Sequence, residues 1–449
     1  MSRLLTLSLP VVAAQLATML MGLVDTAMVG RFSVEALGAA SIANVWIFAT
    51  TQFGMGVIFG LDPIVSQAHG SGDGDRAGLA LQRGLVVALG MSIPLAALWT
   101  QSEAVLILAG QDPELARMAQ EYTWVQIPSL PFFLCYMALR SYLQGRELVR
   151  PAMWVVLIAN LFNALFNWVL IFGNWGAPEM GLLGAGIATA LTRVLTLVGL
   201  VALVWGFNLH RGAWVPWSRN ALSLRGLSEL LAVGLPVAIQ ICLEMWAFSV
   251  STLIAGRLGA VPLAGHTVAL NLAALSFMIP LGVGQGAAIR VGNLLGAGRR
   301  ADAQRSAWVA IVVGGAVMSG SAAIYLGLRH VLPGIFTNDA SVIATAAAIL
   351  PIVAAFQIFD GVQVTGCGVL RGMGRTRPAA LFNLVGYWIL ALPLGGWLAL
   401  RTSAGLPGLW WALCFGLAVV AVSVVLWIAL RGPARVGGLG SAPEVAPER

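Results

Sequence analysis

Three carboxylates stand where carboxylates are costly. Asp25, Glu244 and Asp360 lie well inside long apolar stretches, and Asp360 is the single charge between Ala340 and Leu370. A charged side chain at such depth in a membrane is expensive, so each should face a bundle interior or a watery cavity, and such groups are functional by default. Burial favours the protonated carboxylate and a bound cation favours the ionised one. A group held between those states can trade H+ for Na+ or for an organic cation. The structural alternative, a partner for an arginine or a helix cap, stays open for all three. It is strongest for Asp25, in the outer third of its span.

Neutral ligands accompany the acids. In ANLFNALFNWVLIFG, Asn160, Asn163 and Asn167 recur at spacings of three and four, along one helical face. Facing a carboxylate or cation they supply amide oxygens and NH2 groups; interhelical hydrogen bonding is the other reading, and both can hold at once. Arg193 is the one basic residue deep in a span, as a carboxylate partner or a snorkelling side chain. His69 and His266 read as hydrogen-bonded polar residues, because no second ligand keeps metal spacing with either. Asp62 precedes a proline, in FGLDPIVSQ, and reads as structural. The four cysteines are scattered through apolar spans without CxxC spacing, so neither a metal site nor a disulfide framework is expected. No phosphate-binding glycine loop, dinucleotide fingerprint or hydrolytic constellation occurs. The expectation is a protein that is not an enzyme and has no cofactor beyond a coupling ion.

The elements carrying these residues are membrane spans. Of 449 residues, 59% are hydrophobic and 10% charged, with a mean hydropathy of +0.88, whereas soluble domains are about a quarter charged. Apolar windows long enough to cross a roughly 30 Å hydrocarbon layer recur as twelve predicted spans: 8 to 30, 38 to 68, 79 to 100, 121 to 143, 152 to 173, 184 to 207, 230 to 255, 263 to 295, 306 to 327, 341 to 369, 379 to 399 and 407 to 431. The apolar N-terminal run continues past any plausible signal-peptide cleavage point to Gly30 and reads as the first span. The net charge of +7 is carried by arginines scattered through short loops rather than on one basic face, which argues against a nucleic-acid partner. Fourteen of them fall on one side of the membrane and five on the other, placing both termini in the cytoplasm by the positive-inside rule.

The chain also repeats itself. Shifted by 226 residues, 9 to 77 lies over 235 to 303 without a gap, with 17 identities in 69 positions. Pro10 meets Pro236, Gly30 meets Gly256 and Gly70 meets Gly296. At a shift of 227, LQGRELVRPA lies over LRGMGRTRPA. Two halves of six spans in the same order and orientation follow: an N-terminal lobe over 1–207, a cytoplasmic linker over 208–229, a C-terminal lobe over 230–431 and a disordered cytoplasmic tail over 432–449. Parallel repeats of this kind bind cargo between the two bundles. The repeat is also an internal control, because the acids are all unmatched: Asp25 meets Ser251, Glu244 meets Thr18 and Asp360 meets Phe133. The counterparts of the three asparagines are Tyr387, Leu390 and Leu394.

From LPVVAAQL to the twelfth span the chain resembles the MATE family of multidrug efflux transporters, most closely its NorM type. The specific stretches are VDTAMVGR (24 to 31), LPVAIQICLE ending at Glu244, VALNLAALSFMIPLGVGQGAAIRVGNLLGAG (268 to 298) and FQIFDGVQVTGCGVLRGMGRTRP (356 to 378). The resemblance implies an all-α, V-shaped pair of six-helix lobes and drug/cation antiport driven by H+ or Na+. It implies an acidic pair at Glu244 and Asp360, and a cation site built on Asp25 with Asn163, Asn167 and Thr189. Na+ could sit at Glu244, Asp360 or Asp25. Two departures stand out: Asn167 replaces an aspartate of some relatives, and Phe356 replaces a tyrosine of others.

The reading is thus a monomeric antiporter of a bacterial cytoplasmic membrane that exports amphipathic organic cations by alternating access. Rivals are a lipid-linked saccharide flippase of the same superfamily, which would want cavity arginines where only Arg193 lies deep, and a membrane-embedded enzyme, for which the chain offers no nucleophile or metal site. A major-facilitator signature is not convincing in HGSGDGDRAGLALQRG.

Overall fold

Apolar runs that cannot leave backbone groups unpaired in hydrocarbon become helices, and the computed structural model, which describes residues 2–435 and 439, contains only helices and their connections. They are α1 (Ser2–Phe32), α2 (Val34–Ile58), α3 (Leu61–Gly70), α4 (Gly74–Trp99), the short α5 (Ser102–Leu108), α6 (Pro113–Trp124), α7 (Leu130–Gly145), α8 (Arg150–Phe172) and α9 (Gly181–Gly206) in the first half. The second half holds α10 (Leu224–Gly256), α11 (Ala260–Gly296), α12 (Arg300–Gly327), α13 (Ala340–Gly372), α14 (Arg377–Asn383), α15 (Leu392–Arg401) and α16 (Gly405–Arg431). Most of the tail expected over 432–449 lies outside the described residues.

The twelve predicted spans are recovered, with breaks that have local causes. The second is interrupted at Phe59–Gly60, between α2 and α3. Pro63 can neither donate to the carbonyl of Phe59 nor pack against it. The fourth is divided into α6 and α7 around a 3-10 turn at Ile127–Ser129 that contains Pro128. Eleven helical segments among the described residues, Val34–Gly70 taken across its break, are long and apolar enough to cross a membrane, and α6–α7 supplies the twelfth rod. The eleventh span widens to a π-helix over Leu384–Ala391, between α14 and α15.

The chain divides into two compact units whose membership is not contiguous. One comprises Ala13–Leu61 and Asp73–Gly234; the other comprises Met1–Val12, Asp62–Gly72 and Leu235–Arg449. The long helices α1 and α10 each change unit within two residues of a repeat-matched proline, Pro10 and Pro236. Proline removes an intrahelical hydrogen bond and loosens the helix there.

Within the second unit, glycines let backbones touch. A methyl group on Gly368 of α13 would lie 2.7 Å from the carbonyl carbon and 2.8 Å from the Cα of Gly284 on α11, and one on Gly372 would lie 2.9 Å from the Cα of Ala288. Small residues four apart on both helices form a close seam. The repeat is visible in space as well: a methyl on Gly70 would meet the carbonyl carbon of Asn293 at 2.7 Å, and one on Gly296 would meet that of Gln67 at 2.7 Å. Residues 67 and 70 are the repeat mates of 293 and 296, so α3 and the end of α11 cross as symmetry-related partners.

Candidate functional site

In the first unit, α1 carries Asp25 to the asparagine face of α8. Asn167 donates from Nδ2 to Asp25 Oδ1 and, at 3.3 Å, to Asn163 Oδ1; Asn163 in turn donates to Thr192 Oγ1 on α9 at 3.4 Å. Asn160 caps the row by donating to the Ala17 carbonyl of α1 at 2.6 Å. Asn163 and Asn167 are fully buried, and the amide oxygens of Asn160 and Asn167 have no partner among the described residues. Thr189 turns its hydroxyl to the Ala185 carbonyl of its own helix at 3.1 Å. Thr192, one turn further on, joins the amide row, and its spacing of three from Thr189 was the available signal.

Arg193 lies in the same unit, with Nη1 donating to Ser129 Oγ at 3.2 Å and its guanidinium 5.8 Å from the Trp99 ring centre and 5.2 Å from that of Phe133. Cation–π attraction within about 6 Å holds such a cation without a carboxylate. Its charge is nevertheless felt at Asp25. Arg193 is therefore a resident cation close to the Asp25 site but not locked to it.

In the second unit, α10 and α13 bring Glu244 and Asp360 to one polar cluster joined by Gln363, which lies one turn beyond Asp360. Gln363 Nε2 donates to Glu244 Oε2 at 3.3 Å and also reaches Asn383 Oδ1 at 3.5 Å. Asp360 is 5% exposed, and Gln357 and Gln363, one turn to either side, are fully buried. Gln357 accepts from Ser276 Oγ at 3.1 Å, leaving its Nε2 without a partner among the described residues. Tyr387, in the π-helical segment, is fully buried, and its hydroxyl has no partner among the described residues. Phe356 packs edge-on to Phe248 and Trp410, with ring centres 6.0 and 5.8 Å apart, and Phe248 continues to Tyr387 at 5.8 Å. Two carboxylates in one low-dielectric interior, without a guanidinium ion-paired to either among the described residues, are stable with a proton or a cation between them.

Sequence reasoning missed Gln357, Gln363, Asn383 and Tyr387. The first two stand three residues before and after Asp360, on its helical face. His266 is fully buried; its Nε2 meets Thr252 Oγ1 at 3.2 Å, while Nδ1 has no partner among the described residues. Asp62 has the structural role expected of it, in an ion pair with Arg371 of α13 at 3.3 Å.

The MatE family model matches residues 10–169 and 236–397. The chain belongs to the MatE family. The match falls on both halves and takes in Asp25, Asn160, Asn163, Asn167, Glu244 and Asp360. Among relatives, a protein named probable multidrug resistance protein NorM from Bradyrhizobium diazoefficiens is 36% identical over 434 residues, covering 94% of this chain and 91% of that one. The multidrug resistance protein MdtK of Edwardsiella ictaluri is 33% identical, covering 95% and 94%. The crystal structure of the eukaryotic MATE transporter AtDTX14 superposes with a TM-score of 0.89 at 26% identity, covering 97% of this chain and 96% of that one. The MatE architecture is thereby the fold of this chain.

Proposed function

We propose that this MatE protein is a multidrug efflux antiporter, exporting amphipathic organic cations in exchange for H+ or Na+. The observation that carries the proposal is that Glu244 and Asp360 lie about one buried amide, Gln363, with no guanidinium ion-paired to either among the described residues. Such a site must hold positive charge, and exchange of one cation for another is the reaction it can perform. A ligand shifts a conformational equilibrium only by its differential affinity for two states. Coupling therefore requires that the ion and the drug favour opposite states. Relatives named for multidrug resistance, similar over nine-tenths of both chains, support the choice of cargo.

The protein works as a monomer in a bacterial cytoplasmic membrane with both termini inside, a topology supported by the arginine bias of the loops. Asp25, with Asn160, Asn163, Asn167 and Thr189 around it, serves as a second cation site, and Na+ binding is supported by the amide oxygens there. The flippase reading is disfavoured because Arg193, the deep arginine, is held by aromatic rings.

The test is ethidium efflux from proteoliposomes with pH and Na+ gradients imposed separately. Asp360→Asn is expected to abolish gradient-driven efflux while the protein still folds and inserts. Unchanged efflux would remove Asp360 from the mechanism, and turnover of a substrate without a sealed compartment would replace transport by an enzyme.

A further inference from the structure

His266, on α11, stands apart from the acid cluster of the second unit and makes no hydrogen bond to it among the described residues. Its imidazole is fully buried, and Nε2 lies 3.2 Å from Thr252 Oγ1 and 3.5 Å from Ser251 Oγ, both on α10. Each hydroxyl has a single proton, and each gives it to the Phe248 carbonyl, at 3.0 and 2.8 Å. Only their lone pairs are left to face the ring, so the imidazole hydrogen is on Nε2. The tautomer is thereby fixed, and the Nδ1 lone pair has no partner among the described residues. Trp410 of α16 packs against the imidazole with ring centres 5.5 Å apart, and its buried Nε1 has no partner among the described residues either. An acceptor and a donor left over on neighbouring rings are two ends that one water molecule can bridge.

The repeat gives this corner a meaning. At the shift of 226, Thr252 is matched by Thr26, but Ser251 stands where the first half has Asp25, and His266 where it has Ala40. The two replacements fall on side chains that touch each other. One half therefore has an acid at this corner of the scaffold. The other has a base, held by the residue in the acid's place.

We propose that His266 is a second proton-binding station of the second unit, loaded at Nδ1 from the arginine-poor side of the membrane. The proposal deepens the antiport reading, on which its part in transport rests. His266 is six residues from the arginine-poor end of α11 at Ala260, whereas Glu244 is twelve residues from that end of α10 at Gly256 and Asp360 twenty from that end of α13 at Ala340. The imidazole therefore stands between that surface and the acids. The titratable and charged groups nearest in sequence on the elements around it are Glu244 and Arg257 on α10, Tyr325 on α12, Asp339 and Asp360 at the head and middle of α13, and Cys414 on α16. None of them is hydrogen-bonded or ion-paired to the ring among the described residues. A proton added to Nδ1 thus brings a charge with no anion paired to it, and is held where water reaches the ring. Its preference for that arrangement favours parting of the arginine-poor ends of α10, α11 and α16.

The experiment uses the full chain with ¹⁵N-labelled histidine in nanodiscs and follows the imidazole nitrogens by NMR as the pH is lowered. His266 is assigned by the signals lost in His266→Gln, a side chain that keeps a donor for the two hydroxyls and cannot take up a proton. The expected spectra show Nε2 protonated and Nδ1 bare under mildly alkaline conditions, with Nδ1 gaining a proton before the chain unfolds. Thr252→Val removes one acceptor of the Nε2 hydrogen and should raise the share of the Nδ1–H tautomer, a change that a packing role alone would not produce. It also assigns the ring should the glutamine variant fail to fold. In proteoliposomes, the slope of log ethidium efflux against external pH is expected to fall by up to about one in His266→Gln, the weight of a single proton. A ring that stays neutral over the whole pH range in which the chain is folded overturns the proposal, and so do equal slopes. Unaltered protein whose efflux no gradient drives would instead defeat the antiport reading, and the spectra would still decide whether His266 binds a proton.

Discussion

Gly368→Ala places the smallest possible perturbation on the seam that carries Asp360. The added methyl would sit 2.7 Å from the carbonyl carbon and 2.8 Å from the Cα of Gly284, where carbon atoms ordinarily stay about 3.5–4.0 Å apart. Relief requires α11 and α13 to separate by roughly 1 Å, because the opposing atoms are backbone and cannot rotate away. Overpacking of this kind costs about 1–3 kcal/mol. The function should suffer more than the stability, because Asp360 lies two turns away on the same helix and binding constellations tolerate displacements of only about 0.5 Å. The expected result is a lowered melting temperature in detergent and a drop in ethidium efflux of about tenfold or more. Gly320→Ala on α12, with nothing within 4 Å of the added carbon, is the control. Identical melting and efflux in the two variants would refute the claim that the close approach of α11 and α13 sets the position of the acid.

Asp62→Asn removes the carboxylate from a pair whose side chains are 10% and 12% exposed, and breaking such a buried pair costs up to about 3–5 kcal/mol. A strongly reduced thermal stability with an unaltered coupling-ion dependence is expected, and a change in ion dependence alone would contradict the structural assignment. Asn167→Asp sets a second carboxylate against Asp25 and should raise Na+ affinity at that site by at least about tenfold, measured by ²²Na+ binding to purified protein; no gain would show that the amide row does not face the ion. Arg193→Lys keeps the charge but loses the planar contact with Trp99 and Phe133, so it should melt at a lower temperature while Na+ binding at Asp25 is kept. Arg193→Gln should tighten Na+ binding there by removing a resident positive charge, and equal Na+ affinity in both variants would dissociate Arg193 from the site.

The acids and the asparagine face were legible because both are violations: a carboxylate or a row of amides in an apolar span has no cheap explanation in hydrocarbon. The internal repeat points to a further residue. It aligns Asn160 with Tyr387, a buried phenol four residues from Asn383, which Gln363 reaches. A tyrosine is unremarkable by composition, and at this position it breaks the amide pattern. Its π-helical setting, Leu384–Ala391, also shifts the face a residue presents relative to the α-helical spacing from which faces are read. Thr192 was missed in favour of Thr189 because a helical face is wider than one residue, and packing alone decides which hydroxyl turns toward its neighbour. The division of α1 and α10 between units at Pro10 and Pro236 depends on contacts far apart in sequence, and the prolines by themselves could equally have meant a simple kink.

One scaffold used twice has been given two different charge problems. In the first unit a single carboxylate is met by an amide donor and lies in the field of a guanidinium that aromatic rings hold in place. The positive charge that Asp25 needs is thus partly resident, and what the site can exchange is limited. In the second unit two carboxylates share an interior with amides and a phenol and have no ion-paired guanidinium among the described residues. Its missing positive charge must come from outside and can leave again. If both sites bind ions, the second should therefore carry the steeper dependence on the driving gradient, and Glu244→Gln should reduce that steepness more than Asp25→Asn does. Efflux measured against graded pH and Na+ gradients in the two variants decides it, with equal losses showing that resident charge near Asp25 does not distinguish the halves.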